Sequence, residues 1–136
     1  GRSDAAVRRA GLRGDGWLAS WCSPRRFAEG VALAEATAAE AGRTGVSWQH
    51  GYQIWVGLGD TPAEGAALLG PAMERFYGAP YSAFERYSPV GTPAQIADWL
   101  RPYVDAGAVD FNIAPIAVTD AERVAGTAEI RSLLVG

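Results

Sequence analysis

The 136 residues suffice for about one domain, and the 49% apolar fraction lies well above the disordered range. The net charge of −3 and the absence of any basic stripe exclude the electrostatic footprint of a nucleic-acid binder; every basic residue is Arg. No apolar run approaches the length of a membrane span, no secretory leader opens the chain, and the cytoplasm is the expected compartment. The single cysteine, Cys22, excludes an internal disulfide and a multi-cysteine zinc site.

The opening segment reads as a turn, a short helix and a buried strand. Gly1, Arg2 and Ser3 offer backbone amides, a guanidinium and a hydroxyl where a helix begins. A helix start carries unpaired N–H groups and partial positive charge, so it holds phosphate well, and Arg2 adds a charge-assisted contact. The alternative is that Ser3 only caps the helix. That helix is expected from Ser3 to about Arg13, with Val7 and Ala10 inward, Arg8, Arg9 and Arg13 outward, and Gly14 ending it. The chain opens at Gly1 with no Met and no strand ahead of its first helix, which reads as a fragment or a truncated gene product.

Trp17 to Trp21 is a short apolar strand candidate. Ser23-Pro24 supplies a cap with Pro at the first helical position, and Phe27, Val31, Ala34, Ala38 and Ala41 mark the inner face of a long helix stopped by Gly42. Trp48 to Leu58 is the longest strand candidate. Both parities carry large apolar groups, as in a strand covered on both faces. Thr61-Pro62-Ala63-Glu64 is a capping box, and its helix places Leu68, Leu69, Met73 and Phe76 inward and ends near Gly78. Pro80 to Tyr87 is aromatic and irregular, with one short helix. A very short strand is expected over Ser88–Gly91. Thr92-Pro93-Ala94-Gln95 is a second capping box, opening a helix with Ile96, Leu100, Tyr103 and Val104 inward and Gly107 as its stop. Val109 to Ile113 is the next strand. Thr119-Asp120-Ala121-Glu122 is a third capping box before a last helix with Val124, Ile130, Leu133 and Leu134 inward.

Strands and helices therefore alternate, which implies an α/β fold with parallel strands and crossover helices. The three capping boxes follow strands. They put helix N-termini at the C-terminal edge of the sheet, where α/β folds collect ligands.

Gly1-Arg2-Ser3, Ala5-Ala6, Arg8-Arg9-Ala10 and Gly14-Asp15-Gly16-Trp17-Leu18, together with Val90-Gly91-Thr92-Pro93-Ala94-Gln95-Ile96-Ala97, Asp105-Ala106-Gly107 and Val109-Asp110-Phe111, resemble the C-terminal half of the luciferase-like monooxygenase superfamily. Those enzymes are flavin- or coenzyme F-420-dependent (β/α)8 TIM barrels. The resemblance implies a single partial barrel domain over residues 1–136, running from helix 4 through helix 8, with the family's N-terminal half absent. It implies an oxidoreductase, by monooxygenation or hydride transfer, in which this chain supplies the half that holds the cofactor's phosphate. Coenzyme F-420 is expected ahead of FMN. Catalytic residues stay unassigned, because the missing half carries most of them.

On the same resemblance, Gly1, Arg2 and Ser3 match the turn that grips the cofactor tail, and Trp21 at the end of its strand stacks on the cofactor or packs in the core. Thr92 caps its helix and secondarily touches cofactor. Cys22 reads as a small buried group without a basic neighbour in sequence. Asp15 and His50 lie at the stability end of the barrel, and His50 lacks partners for a metal. Asp60 lies at the ligand edge, with Asn112 and a turn at Pro115 bordering the pocket. Tyr77, Tyr81, Phe84 and Tyr87 form a cluster that covers the barrel or contacts another subunit. Two further readings stand beside the enzyme: a non-catalytic half-barrel that needs a partner half or a second copy, and a complete small α/β binding domain. A small-molecule substrate is expected, with no nucleic acid and no membrane.

Overall fold

The computed structural model describes residues 1–136. In chain order it contains α1 (Asp4–Arg13), β1 (Leu18–Ala19), α2 (Pro24–Glu40), β2 (Gly51–Leu58), α3 (Pro62–Tyr77), β3 (Val90–Gly91), α4 (Pro93–Asp105), β4 (Asp110–Ile116) and α5 (Asp120–Val135). β1, β3 and β4 each pair with β2. The β1 register sets Leu18 opposite Gly51 and the β3 register sets Gly57 opposite Val90, both parallel. Parallel strands joined by helices are the fold that the alternating pattern implies.

The chain forms two compact units, one of residues 1–53 with 102–112, the other of residues 54–101 with 113–136. The first is built on α1, β1 and α2. Ser3 caps α1 by accepting from Ala6 N at 3.2 Å, and Ser23 caps α2 by accepting from Arg26 N at 3.2 Å. The two helices meet at Gly11, where any Cβ would collide with the Ala34 carbonyl. Trp17 stacks on Phe27 with ring centroids 5.6 Å apart, and Tyr52 and Tyr103 each meet Phe27 edge-on at 6.0 Å. This aromatic group is the unit's core, and all four residues are buried.

Two polar residues tie the loops of this unit. His50, 2% exposed, accepts from Trp17 N at Nδ1, 3.1 Å away. Its Nε2 must then carry the proton, which it donates to Glu35 Oε1 at 3.2 Å. Both ring nitrogens are satisfied, and Trp48 stacks on the ring at 5.2 Å. Arg43 donates to the carbonyls of Gly11 and Gly14, the latter at 2.9 Å, and pairs with Asp15 at 3.3 Å. A cation is thereby set against the unpaired carbonyls at the C-terminus of α1, where the helix dipole favours it. Asp15 is thus an anchor for Arg43 and for Gln49, whose N–H it accepts at 2.7 Å through its backbone carbonyl.

In the second unit, Gly57 of β2 and Gly65 of α3 face each other so closely that a Cβ on either would strike the other's carbonyl. Thr61 and Glu64 form the anticipated capping box, and Gly78 closes α3 in the left-handed conformation at φ 66°. The side chain of Leu58 packs against Gly126 of α5. Helices therefore cover neighbouring residues of opposite parity on β2, α3 at Gly57 and α5 at Leu58, as its two apolar parities imply.

Several boundaries and faces differ from the sequence pattern. β1 keeps only Leu18–Ala19 of the Trp17–Trp21 run, because Trp21 turns left-handed. β2 begins at Gly51; Trp48 is spent on stacking against His50. Residues 80–87 form two 3-10 turns, Tyr81–Ala83 and Glu85–Tyr87, in place of one helix. Pro115 lies inside β4, which extends to Ile116, so there is no turn there. Phe76 is 69% exposed, beside Trp55 and Tyr77, and Val124 is 72% exposed. Ile130 is buried on the inner face of α5 as its spacing implies, and Gly126 shares that face, since a glycine is what lets the helix approach Leu58. Leu133 is also exposed, and Val31, Val104 and Leu134 are half-buried.

Arg43→Ala removes the cation from the α1 terminus and leaves partly buried carbonyls unpaired. It is expected to lower unfolding stability by about 2 kcal/mol, measured as a shift of the urea midpoint at unchanged slope.

Candidate functional site

Beyond the last residue of β1 the chain makes a corner. Trp21 sits at φ 56°, in the left-handed region that a bulky side chain rarely adopts. Such a residue stores strain of about 1–3 kcal/mol and persists only where its surroundings fix it. Here they do. Arg2 Nη1 donates to the Trp21 carbonyl at 3.2 Å. The next peptide is gripped by two tyrosines: Tyr103 OH donates to Cys22 O at 2.6 Å and Tyr52 OH at 3.0 Å. Tyr52 oxygen also accepts from Cys22 N at 3.3 Å.

The opening segment is bound to this corner. Trp17 Nε1 donates to Gly1 O at 2.9 Å, and Arg26 Nη2 donates to Arg2 O at 2.9 Å and to Asp4 Oδ1 at 2.7 Å. Gly1, Arg2, Ser3 and Trp21 thus come together at the C-terminal end of β1. Arg26 is the residue that sequence reasoning missed. Its signal was its place in the first turn of α2, three residues after the Ser23 cap, and it straps the start of α2 to the start of α1.

The corner therefore holds two helix N-termini, two guanidinium groups and two capping serines. Each serine oxygen accepts from its own helix, which leaves the O–H to donate outward. Of the first-turn amides of α1, that of Ala6 is taken by Ser3 Oγ and those of Asp4 and Ala5 have no intrahelical acceptor. The field of the guanidinium groups reaches Cys22, which is 6% exposed. Burial pushes its thiol up from the ordinary 9.0, while Arg26 and then Arg2 pull it partly back. Cys22 is the small buried group that its sequence suggests, but it has two basic neighbours in space. In chemical terms the corner can hold an anion.

The second unit carries a cavity of about 620 Å3. It opens where β2 and β4 end and where α3, α4 and α5 begin, and Leu58, Leu68 and Ala117 form its apolar wall. Asp60, Glu64 and Glu122 stand at its edge with no cation among the lining residues. That charge repels a phosphate, so the two units differ in what they can hold. Thr92 belongs to this second unit. Its Oγ accepts from Gln95 N at 3.3 Å while its N–H donates to Gln95 Oε1 at 3.0 Å, the reciprocal pattern of a cap. Asp60 lines the cavity; Asn112 and Pro115 do not. No group of side chains in the structure is arranged to hold a metal ion, and no helix is long and apolar enough to cross a membrane.

No protein-family model matches the sequence, and no curated protein matches it. Solved structures do match. An F420-dependent secondary alcohol dehydrogenase, determined with an F420-acetone adduct, superposes with a TM-score of 0.77 at 14% identity, over 96% of this chain and 46% of the other. A coenzyme F420-dependent tetrahydromethanopterin reductase from Methanopyrus kandleri gives 0.67 at 14% identity, over 98% and 47%. An EDTA monooxygenase from Chelativorans sp. BNC1 gives 0.68 at 20% identity, over 99% and 45%. The chain spans about half the length of these structures. The fold that its resemblance to luciferase-like enzymes implies, parallel strands alternating with helices over half of such a chain, is the fold it has.

Two outcomes are expected at the corner. Tyr103→Phe removes the shorter bond to Cys22 O but leaves that of Tyr52, and should cost about 1 kcal/mol in unfolding stability. The raised Cys22 thiol gives a defined pH dependence. Its folded pKa exceeds its unfolded one, so its contribution to stability is complete below 9.0 and is lost as pH rises through the folded value. Denaturation followed from pH 7 to 10 should show this loss, and Cys22→Ala should remove it.

Proposed function

We propose that this chain is the cofactor-phosphate-binding half of a luciferase-like oxidoreductase that uses coenzyme F-420 or FMN. The observation that carries the reading is the convergence of Arg2, Arg26 and the Ser3 and Ser23 caps on one corner at the C-terminal end of β1. Its support is the fold shared with F420-dependent enzymes and a monooxygenase.

The residues fit a phosphate. The amides of Asp4 and Ala5 and the Ser3 hydroxyl donate to its oxygens, as helix N-termini do, while the Ala6 amide stays on Ser3 Oγ. Arg2 adds a charged donor while one of its nitrogens stays on Trp21 O, so the anion and the strained corner share one side chain. Arg26 holds the two helix starts together and so fixes the spacing of the donors. Trp21 lies beside these groups and walls the ring of the cofactor. The bound cofactor supplies the hydride or oxygen chemistry, and the protein supplies placement and electrostatics.

A second reading is favoured by one observation: the chain spans about half of each matching structure. In that reading it is a non-catalytic half-barrel, completed by a separate polypeptide or a second copy. Coenzyme F-420 and FMN are each titrated into the protein and their fluorescence followed. Saturable binding of one of them is expected, and Arg2→Ala should weaken it about ten-fold, the size of a lost charged hydrogen bond. Failure of both cofactors to bind would overturn the proposal. Turnover of substrate by this chain alone would overturn the non-catalytic reading, and a well-behaved monomer in sedimentation would argue against a second copy.

A further inference from the structure

α5 is apolar on two opposite sides. Gly126 and Ile130 are buried within its own unit. Ala121, Val124, Ala128 and Val135, spaced by three, four and seven residues, run along the other side, and all four are exposed. Val135 is 73% exposed, as much as Val124. Glu122 and Glu129 stand at one flank of this stripe, and Glu129 enters no ion pair. α1 carries a face of the same shape and opposite charge. Its inner side buries Val7 and Gly11, while Ala5 and the 42% exposed Leu12 lie on its outer side among Arg8, Arg9 and Arg13. Those three arginines enter no ion pair, whereas Arg25, Arg26 and Arg43 of the same unit each have one. A folded monomer of 14.3 kDa exposes about 6,800 Å2, and this chain exposes 7460 Å2. The excess of about 650 Å2 approaches the roughly 800 Å2 that one partner contributes to an interface of standard size.

We propose that the chain pairs with a second copy of itself about a two-fold axis, the outer face of α1 in each copy packing on the outer face of α5 in the other. The apolar stripe of α5 covers Leu12, and the arginines of α1 meet Glu122 and Glu129. The two-fold makes this contact twice, so that both faces of both copies are occupied and no end is left to grow. Two copies together come to about the length of each matching structure, of which one copy spans 45–47%. The inference rests on the reading of the chain as a half completed by another polypeptide. It adds which polypeptide that is and which two faces meet.

The test is sedimentation velocity of the full chain over a range of concentrations. It is run at about 50 mM and about 500 mM salt, between which the Debye length falls from about 14 Å to about 4 Å. A reversible monomer–dimer equilibrium is expected, weaker at the higher salt. Val124→Glu sets a charge in the apolar stripe and should weaken the dimer about a hundred-fold, since each dimer buries two such charges. Val124 is exposed in the single chain, so the far-UV circular dichroism of this variant should match that of the wild type. Arg9→Glu and Glu129→Arg should each weaken the dimer about ten-fold, because the two-fold doubles the small effect of an exposed pair. The chain carrying both changes should recover most of that loss, which a defect in folding would not do. A wild type that stays monomeric at every concentration overturns the inference; it leaves standing both cofactor binding and completion by a different polypeptide. A dimer indifferent to Val124→Glu overturns it, because another surface then makes the contact. Failure of the double variant to recover overturns the pairing of α1 with α5, and assemblies that grow past two copies overturn the two-fold.

Discussion

Strand pairing to β2 is the constraint from which the rest of the structure follows. β1, β3 and β4 all take their register from it, and two of them contribute only two residues each. Strands so short have little cohesion of their own. They hold position because β2 offers eight consecutive residues, and because the residues just beyond each short strand are fixed by side chains. At β1 that fixing is done by Arg2, Tyr52 and Tyr103, whose bonds fall on the peptides of Trp21 and Cys22. At β3 the Thr92–Gln95 cap fixes the residue just beyond the strand, while the carbonyls of Pro89 and Gly91 join the pairing itself by accepting from Gly57 and Gly59. The candidate anion site is therefore a by-product of ending a strand early and anchoring the corner with polar groups.

The same economy explains the asymmetry of charge between the units. Arginine is the only basic residue type, and a guanidinium can satisfy several carbonyls at once. Arg2, Arg26 and Arg43 each spend donors on backbone oxygens in the first unit. No such residue lines the cavity of the second, where glutamates serve as helix caps and leave their charge at the edge. Capping by Glu64 and Glu122 gives firm helix starts, and it also decides that an anion has no place there.

The alternation of elements and the three capping boxes were readable because they rest on local chemistry. Thr61 with Glu64, and Thr119 with Glu122, need only a spacing of three residues. The stop at Gly78 was readable for the same reason, whereas the partners of His50, Trp17 N and Glu35, lie far away in sequence and were not. Trp21 was not. Its backbone turns left-handed because of bonds to residues as distant in sequence as Arg2. Arg26 escaped because a basic residue at a helix start looks solvated until Arg2 O and Asp4 appear beside it. Val124 and Leu133 were misassigned to the inner face of α5 for a related reason. Valine and leucine at helical spacing point to an inner stripe, but contact with Leu58 requires a glycine, and so Gly126 rather than Val124 sets the rotation of the helix.

The Gly57–Gly65 seam has a consequence for how this scaffold can change. Separation between β2 and α3 is set there by main chain against main chain, so it does not depend on the size of any residue at the contact. Substitutions around the mouth of the cavity, at Leu68 or Asp60, can alter its shape and polarity while the helix start stays where it is. Scaffold and rim are mechanically uncoupled, and the rim is free to diversify. The cost falls on two positions, each of which forbids every other amino acid as long as its opposite number stays in place.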